Sequence, residues 1–224
     1  MSGPLRLAHR GDHREHPENT LAAFRAALAV PGCDGLEFDV RLSADGIPVI
    51  LHDETLGRVQ GVEARCDARS AAELAELGVP TLAEVLALAG PTPFLDVELK
   101  EDCGPAGVAT LEAMRGDGAL RLARAVVSSF EPEALLTVRR LRPEWPCWLN
   151  AEDLEPATVA RAVELGCRGL SAEWTAVGPE SVARVRAAGL ELATWTVTDV
   201  AEARRLGTHG LMAICVEGEA LDRA

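Results

Sequence analysis

The sequence predicts an α/β fold, a (β/α)8 barrel of the TIM type with a short insertion after its second strand. Three observations predict it. Short apolar runs alternate with segments of helical period along the whole chain, in about eight β/α units. The 224 residues are 48% hydrophobic, which suffices for one sizeable core and a single domain spanning 1–224. Charged clusters end the early strands, where carboxylates would converge at a barrel mouth. A doubly wound open sheet is the alternative; no G-x-G-x-x-G follows the first strand to support it.

The elements follow in order. Leu5 to His9 reads as the first strand and Asn19 to Val30 as a helix, with Leu21, Phe24 and Leu28 on its apolar face. Asn19 or Thr20 can cap that helix. Gly35 to Val40 is the second strand. Ile47 to His52 is strand-like but follows after only Arg41 to Gly46, too short a crossover for a parallel neighbour. Asp45-Gly46 is a tight-turn signal. The second strand should therefore extend past the barrel and fold back as an antiparallel arm, bringing His52 beside Asp39. The stretch 53–79 is then a short insertion. Thr81 to Ala89 is a helix with Thr81 as its N-cap, Pro93 to Lys100 the third barrel strand, and Ala106 to Met114 the next helix. Strands follow at Ala125–Phe130, Trp145–Asn150, Arg168–Glu173, Leu190–Val197 and Gly210–Val216. Helices at Pro132–Leu141, Pro156–Leu165, Pro179–Ala188 and Val200–Leu206 separate them.

A net charge of −13 argues against a non-specific partner among nucleic acids or anionic membranes. No apolar leader follows Met1 and no stretch approaches membrane-spanning length, so no stable membrane association and a cytoplasmic location are expected. The six cysteines have no C-x-x-C spacing, which predicts reduced, mostly buried thiols and no zinc site.

The chemistry lies in His9-Arg10-Gly11, Glu37-Phe38-Asp39, His52-Asp53 and Asp96-Val97-Glu98-Leu99-Lys100. Buried charges must be paired or bound to metal. Glu37 and Asp39 share one face of a strand, as do Asp96, Glu98 and Lys100. Glu37, Asp39 and Glu98 are the expected ligands of a divalent cation; oxygen donors suit Mg²⁺ or Ca²⁺. His9 and His52 are the expected general acid and base on a phosphodiester, in either order. Arg10 and Lys100 would neutralise phosphate oxygens, and Trp195 would wall the pocket. His13, His16 and His209 read as surface or loop residues.

These residues carry a resemblance. His9-Arg10-Gly11, Pro17-Glu18-Asn19-Thr20, Glu37-x-Asp39-Val40, Asp45-Gly46 and Val49-x-x-His52-Asp53 are similar to the glycerophosphodiester phosphodiesterase family. So are Pro80-Thr81-Leu82-x-Glu84-Val85-Leu86, Glu98-x-Lys100 and Trp195-Thr196-Val197. The resemblance implies a TIM-type barrel that hydrolyses a small-molecule glycerophosphodiester to sn-glycerol 3-phosphate and an alcohol, with a divalent cation (Mg²⁺, Ca²⁺ or Mn²⁺). It implies His9 and His52 as the acid/base pair and Glu37, Asp39 and Glu98 as metal ligands. It also implies Arg10, Glu18, Lys100 and Trp195 as residues that line or brace the substrate pocket. The chain departs from the pattern at Arg58-Val59-Gln60, at Thr198, and at Ile214-Cys215-Val216-Glu217 in place of a Thr-Asp pair. The last change is expected to remove a polar group from the mouth of the final strand. Two other readings stand beside this one. The first is a lysophospholipase D-like phosphodiesterase releasing a lyso- or cyclic phosphate. The second is a catalytically silent metal- or phosphate-binding barrel.

Overall fold

The computed structural model describes residues 3–115 and 122–222. Its sheet contains β1 (Leu5–His9), β2 (Gly35–Leu42), β3 (Pro48–Ile50), β4 (Phe94–Leu99), β5 (Ala125–Ser129), β6 (Cys147–Ala151), β7 (Gly169–Glu173), β8 (Glu191–Val197) and β9 (Ala213–Val216). β1 pairs in parallel with β2 on one side and β9 on the other. Every other barrel neighbour, from β2–β4 round to β8–β9, is also parallel. Eight strands therefore close into the (β/α)8 barrel that the alternation predicts. β3 is the arm: it pairs antiparallel to β2, with Val40 opposite Ile50 and Leu42 opposite Pro48.

Strand alternation sorts the side chains. On β2, Leu36, Phe38 and Val40 pack outward against the helices, as Leu95, Val97 and Leu99 do on β4. The intervening Glu37, Asp39, Asp96 and Glu98 are left to the barrel interior, where all four are buried. Below them a smaller apolar cluster of Leu7, Phe94, Val126, Trp148, Ala193, Ala213 and Cys215 fills the barrel. Phe94 stacks on Trp148 there, ring centroids 6.1 Å apart. The interior is a packed plug with a polar layer on top.

The arm and the segment that follows it share an apolar cluster of Val49, Leu51, Leu56, Cys66, Leu74 and Val79. The insertion helix Ala71–Glu76 starts with a capping box between Ser70 and Glu73, and the barrel helix Leu82–Ala89 starts with another between Thr81 and Glu84. Thr20 caps Leu21–Ala29 by accepting from the Ala23 amide. Asn19, the other candidate cap, lies outside that helix. The sixth strand begins at Cys147 and not at Trp145, because Pro146 has no amide hydrogen for the ladder. The final strand begins at Ala213, since Gly210 is left-handed at φ 66°. The six cysteines are free thiols, five of them buried. Among the described residues no helix is long and apolar enough to cross a membrane.

Candidate active site

The first strand ends in a left-handed turn. Arg10 has φ 57° and Gly11 φ 85°. A Cβ on Gly11 would lie 2.8 Å from the Ala23 carbonyl carbon, so the turn seats directly on the first helix. The Arg10 amide donates to the Glu37 carbonyl at 3.0 Å and reaches its carboxylate at 3.2 Å. The Asn19 amide donates to the Arg10 carbonyl at 2.9 Å, and its side-chain Nδ2 donates to Asp39 at 2.7 Å. Two residues with positive φ thus tie the His9 turn to the acidic strand.

Carboxylate oxygens of Glu37, Asp39 and Glu98 come within 4.8 Å of one another. Asp39 is fully buried, with Lys100 Nζ 3.1 Å from one oxygen and Arg10 Nε 3.2 Å from the other. Lys100 also pairs with Glu98 at 2.5 Å. Burial alone would raise Asp39, but Lys100 and Arg10 outweigh it and hold its carboxyl below the usual range. Glu37 behaves oppositely: burial, then repulsion from Asp39, Glu98 and Asp96, pushes it well above the ordinary value. Asp96 is pushed up to about 7 by burial, against a hydrogen bond from Ser128. Four buried carboxylates therefore share two cations. Glu37 Oε1 is buried with no hydrogen-bond partner among the described residues. An excess of hard oxygen donors with an orphaned buried oxygen fits a divalent cation.

Each histidine is held by a carboxylate. His9 Nδ1 lies 2.5 Å from Glu217 Oε1, and its Nε2 lies 3.4 Å from the Thr196 hydroxyl and 3.8 Å from Glu37. His52 Nδ1 lies 2.6 Å from Asp53. Such a bond on Nδ1 leaves Nε2 for a bound molecule. Burial lowers the His52 pKa; Asp39 and Asp53 oppose this, while Lys100 and Arg10 add to it. The arm sets His52 where the turn signal predicted: the Leu51 amide donates to the Asp39 carbonyl, and Arg41 Nε donates to the His52 carbonyl.

Three residues escaped the sequence reading. Glu217 was expected to mark the loss of a polar group from the last strand's mouth. Instead it follows β9 directly and supplies the carboxylate that meets His9. The period of two through Cys215 and Glu217 was the available signal. His13, read as a loop residue, also reaches Glu217, Nε2 to Oε1 at 3.5 Å, and that contact raises its pKa. Arg58, noted only as a departure, pairs with both Glu18 and Asp53 at 2.7 Å. Glu18 in turn accepts from Arg10 at 3.0 Å. A chain of alternating charge therefore runs from Arg10 through Glu18, Arg58 and Asp53 to His52.

A cavity of about 220 Å³ opens over the polar layer, with His9, Arg10, Glu37, His52, Glu98 and Lys100 among the residues lining it. Trp195 joins them; its indole donates to the Ser171 carbonyl at 3.0 Å and its ring meets Phe130 edge-on. Asp39 and Glu18 do not line the cavity. Asp39 is buried against Arg10 and Lys100, and Glu18 braces Arg10.

Residues 9–217 match the model of the glycerophosphoryl diester phosphodiesterase family. A glycerophosphodiester phosphodiesterase of Caldanaerobacter subterraneus is 29% identical across 95% of this chain and 93% of its own. Glycerophosphodiester phosphodiesterase 1 of Homo sapiens is 34% identical across 60% of this chain, which spans 45% of the human protein. In structure, an Oleispira antarctica phosphodiesterase in complex with its product sn-glycerol-3-phosphate superposes with a TM-score of 0.84. It is 30% identical, covering 96% of this chain and 93% of the other.

Proposed function

Because this chain belongs to the glycerophosphoryl diester phosphodiesterase family, and is a phosphoric diester hydrolase, we propose that it cleaves glycerophosphodiesters to sn-glycerol 3-phosphate and an alcohol. The observation that carries the proposal is the convergence of His9, His52, Glu37 and Glu98 on one cavity, with Asp39 buried beside the two acids. The product bound in the Oleispira relative supports the same substrate class.

Glu37, Asp39 and Glu98 would hold a divalent cation, which supplies charge neutralisation at a phosphate oxygen. Arg10 and Lys100 neutralise the remaining non-bridging oxygens. His52, with its lowered pKa, is neutral near pH 7 and takes the proton from the attacking hydroxyl. That hydroxyl belongs to water or to the neighbouring carbon of the substrate. A new P–O bond forms, the P–O bond to the alcohol breaks, and His9 Nε2 delivers a proton to the departing oxygen. Glu217 keeps His9 oriented for this. Where the substrate hydroxyl attacks, the product of this step is a cyclic phosphate, which water then opens to glycerol 3-phosphate. Trp195 walls the substrate.

The test is a panel of glycerophosphodiesters, with lysophosphatidylcholine beside them, assayed with Mg²⁺, Ca²⁺ or Mn²⁺ and read by release of sn-glycerol 3-phosphate from the former and of choline from the latter. His52→Ala should lower kcat by about 10²–10⁴-fold. Turnover of none of the diesters with any of the cations would overturn the proposal.

A further inference from the structure

The wall of the cavity facing the acids is built from β5 to β8, and its polar groups are not equally committed. Ser128 Oγ donates to Asp96 at 2.6 Å, and Trp195 Nε1 donates to the Ser171 carbonyl. Asn150 on β6, opposite Ser171 in register, also lines the cavity. It is only 6% exposed, yet its Oδ1 is buried with no hydrogen-bond partner among the described residues. A buried amide oxygen left unpaired is costly, and buried polar atoms almost always have a partner. Because Asn150 lines the cavity, a polar group that enters the cavity can supply that partner.

We infer that Asn150 is a specificity-determining residue that hydrogen-bonds a hydroxyl group of the bound diester. This rests on the hydrolase reading above and deepens it. A primary amide offers a donor and an acceptor whichever way it is turned, and a hydroxyl answers either. A methyl or quaternary ammonium group answers neither. The Phe130 and Trp195 rings, 5.5 Å apart, form an apolar edge on the same cavity against which the carbon face of a short polyol can pack. The hydroxyl has two sources: the free hydroxyls of the glycerol moiety, common to all glycerophosphodiesters, or those of the departing alcohol.

Steady-state kinetics of the cation-loaded wild type, Asn150→Ala and Asn150→Leu separate these sources. The substrates are glycerophosphoglycerol, glycerophosphocholine and bis(p-nitrophenyl) phosphate, which has no hydroxyl. The expected result is a drop of about tenfold in kcat/KM for a hydroxyl-bearing substrate relative to bis(p-nitrophenyl) phosphate, the size of one hydrogen bond. A drop for both glycerophosphodiesters assigns the contact to the glycerol moiety; a drop for glycerophosphoglycerol alone assigns it to the departing alcohol. An equal loss on all three substrates, or none on any, overturns the inference. Wild-type inactivity on every diester counts against the hydrolase reading instead. In that case the calorimetric Kd for intact glycerophosphoglycerol, which carries hydroxyls on both sides of the phosphate, against that for diethyl phosphate carries the test, and an unchanged ratio in Asn150→Ala overturns the inference. If thermal melts show Asn150→Leu unfolded, Asn150→Val replaces it with the same expected shift.

Discussion

His9 and Glu217 show how far single residues could be read. His9 stands out because an imidazole ending an apolar run needs a reason. Glu217 does not, because a glutamate just after a strand is common, and only the closed barrel brings it 2.5 Å from His9. We predict that Glu217→Gln lowers kcat about 10–100-fold, the range for a group that orients a functional histidine, with little change in KM. Steady-state kinetics on glycerophosphocholine check it; an unchanged kcat would remove Glu217 from the proposed mechanism. His52 yields a pH prediction. Its folded pKa lies below the ordinary imidazole value because it is buried near two cations. The neutral base therefore persists to lower pH, and the acidic limb of the kcat/KM profile should fall below the ordinary histidine midpoint. An acidic limb at or above that value would contradict His52 as base.

At the scale of elements, the alternating pattern made nearly every barrel strand legible, and the Asp45-Gly46 turn exposed the arm. The charge relay through Arg58 was not legible, because its partners Glu18 and Asp53 lie 40 and 5 residues away and meet only once the insertion folds. The pairing of β2 with β4 depends on Gly35, where a Cβ would lie 1.9 Å from the Phe94 carbonyl oxygen. Gly35→Ala should force apart the two strands that carry the acidic cluster, costing about 1–3 kcal/mol and weakening cation binding. Gly46→Ala, in open space at φ 74°, should cost about 1–2 kcal/mol of backbone strain and leave cation affinity nearly intact. Urea melts with and without cation distinguish the two.

For the whole molecule, the acidic cluster links stability to pH and to cations. The folded-state pKa of Glu37 is raised above its unfolded value by burial and by its acidic neighbours, and Asp96 reaches about 7. For an acid this sign means that the folded chain retains protons that the unfolded chain releases. Cation-free stability therefore declines as pH rises from the ordinary carboxylate range toward neutrality. A bound cation displaces protons from its carboxylate ligands, so its affinity should rise over the same interval. The increase in Tm on adding Mg²⁺ or Ca²⁺ should be small near pH 5 and larger near pH 7.5. An increase independent of pH, or removed by mutating residues outside Glu37, Asp39 and Glu98, would refute this linkage.

The contact between His9 and Glu217 crosses the seam where the last barrel strand meets the first, Leu5 opposite Ala213 and Ala8 opposite Val216. A ribosome makes these two residues 208 positions apart. Both imidazoles and all three ligand acids leave the exit tunnel long before the carboxylate that aims His9. On the proposed mechanism, full turnover therefore waits for the barrel to be zipped shut.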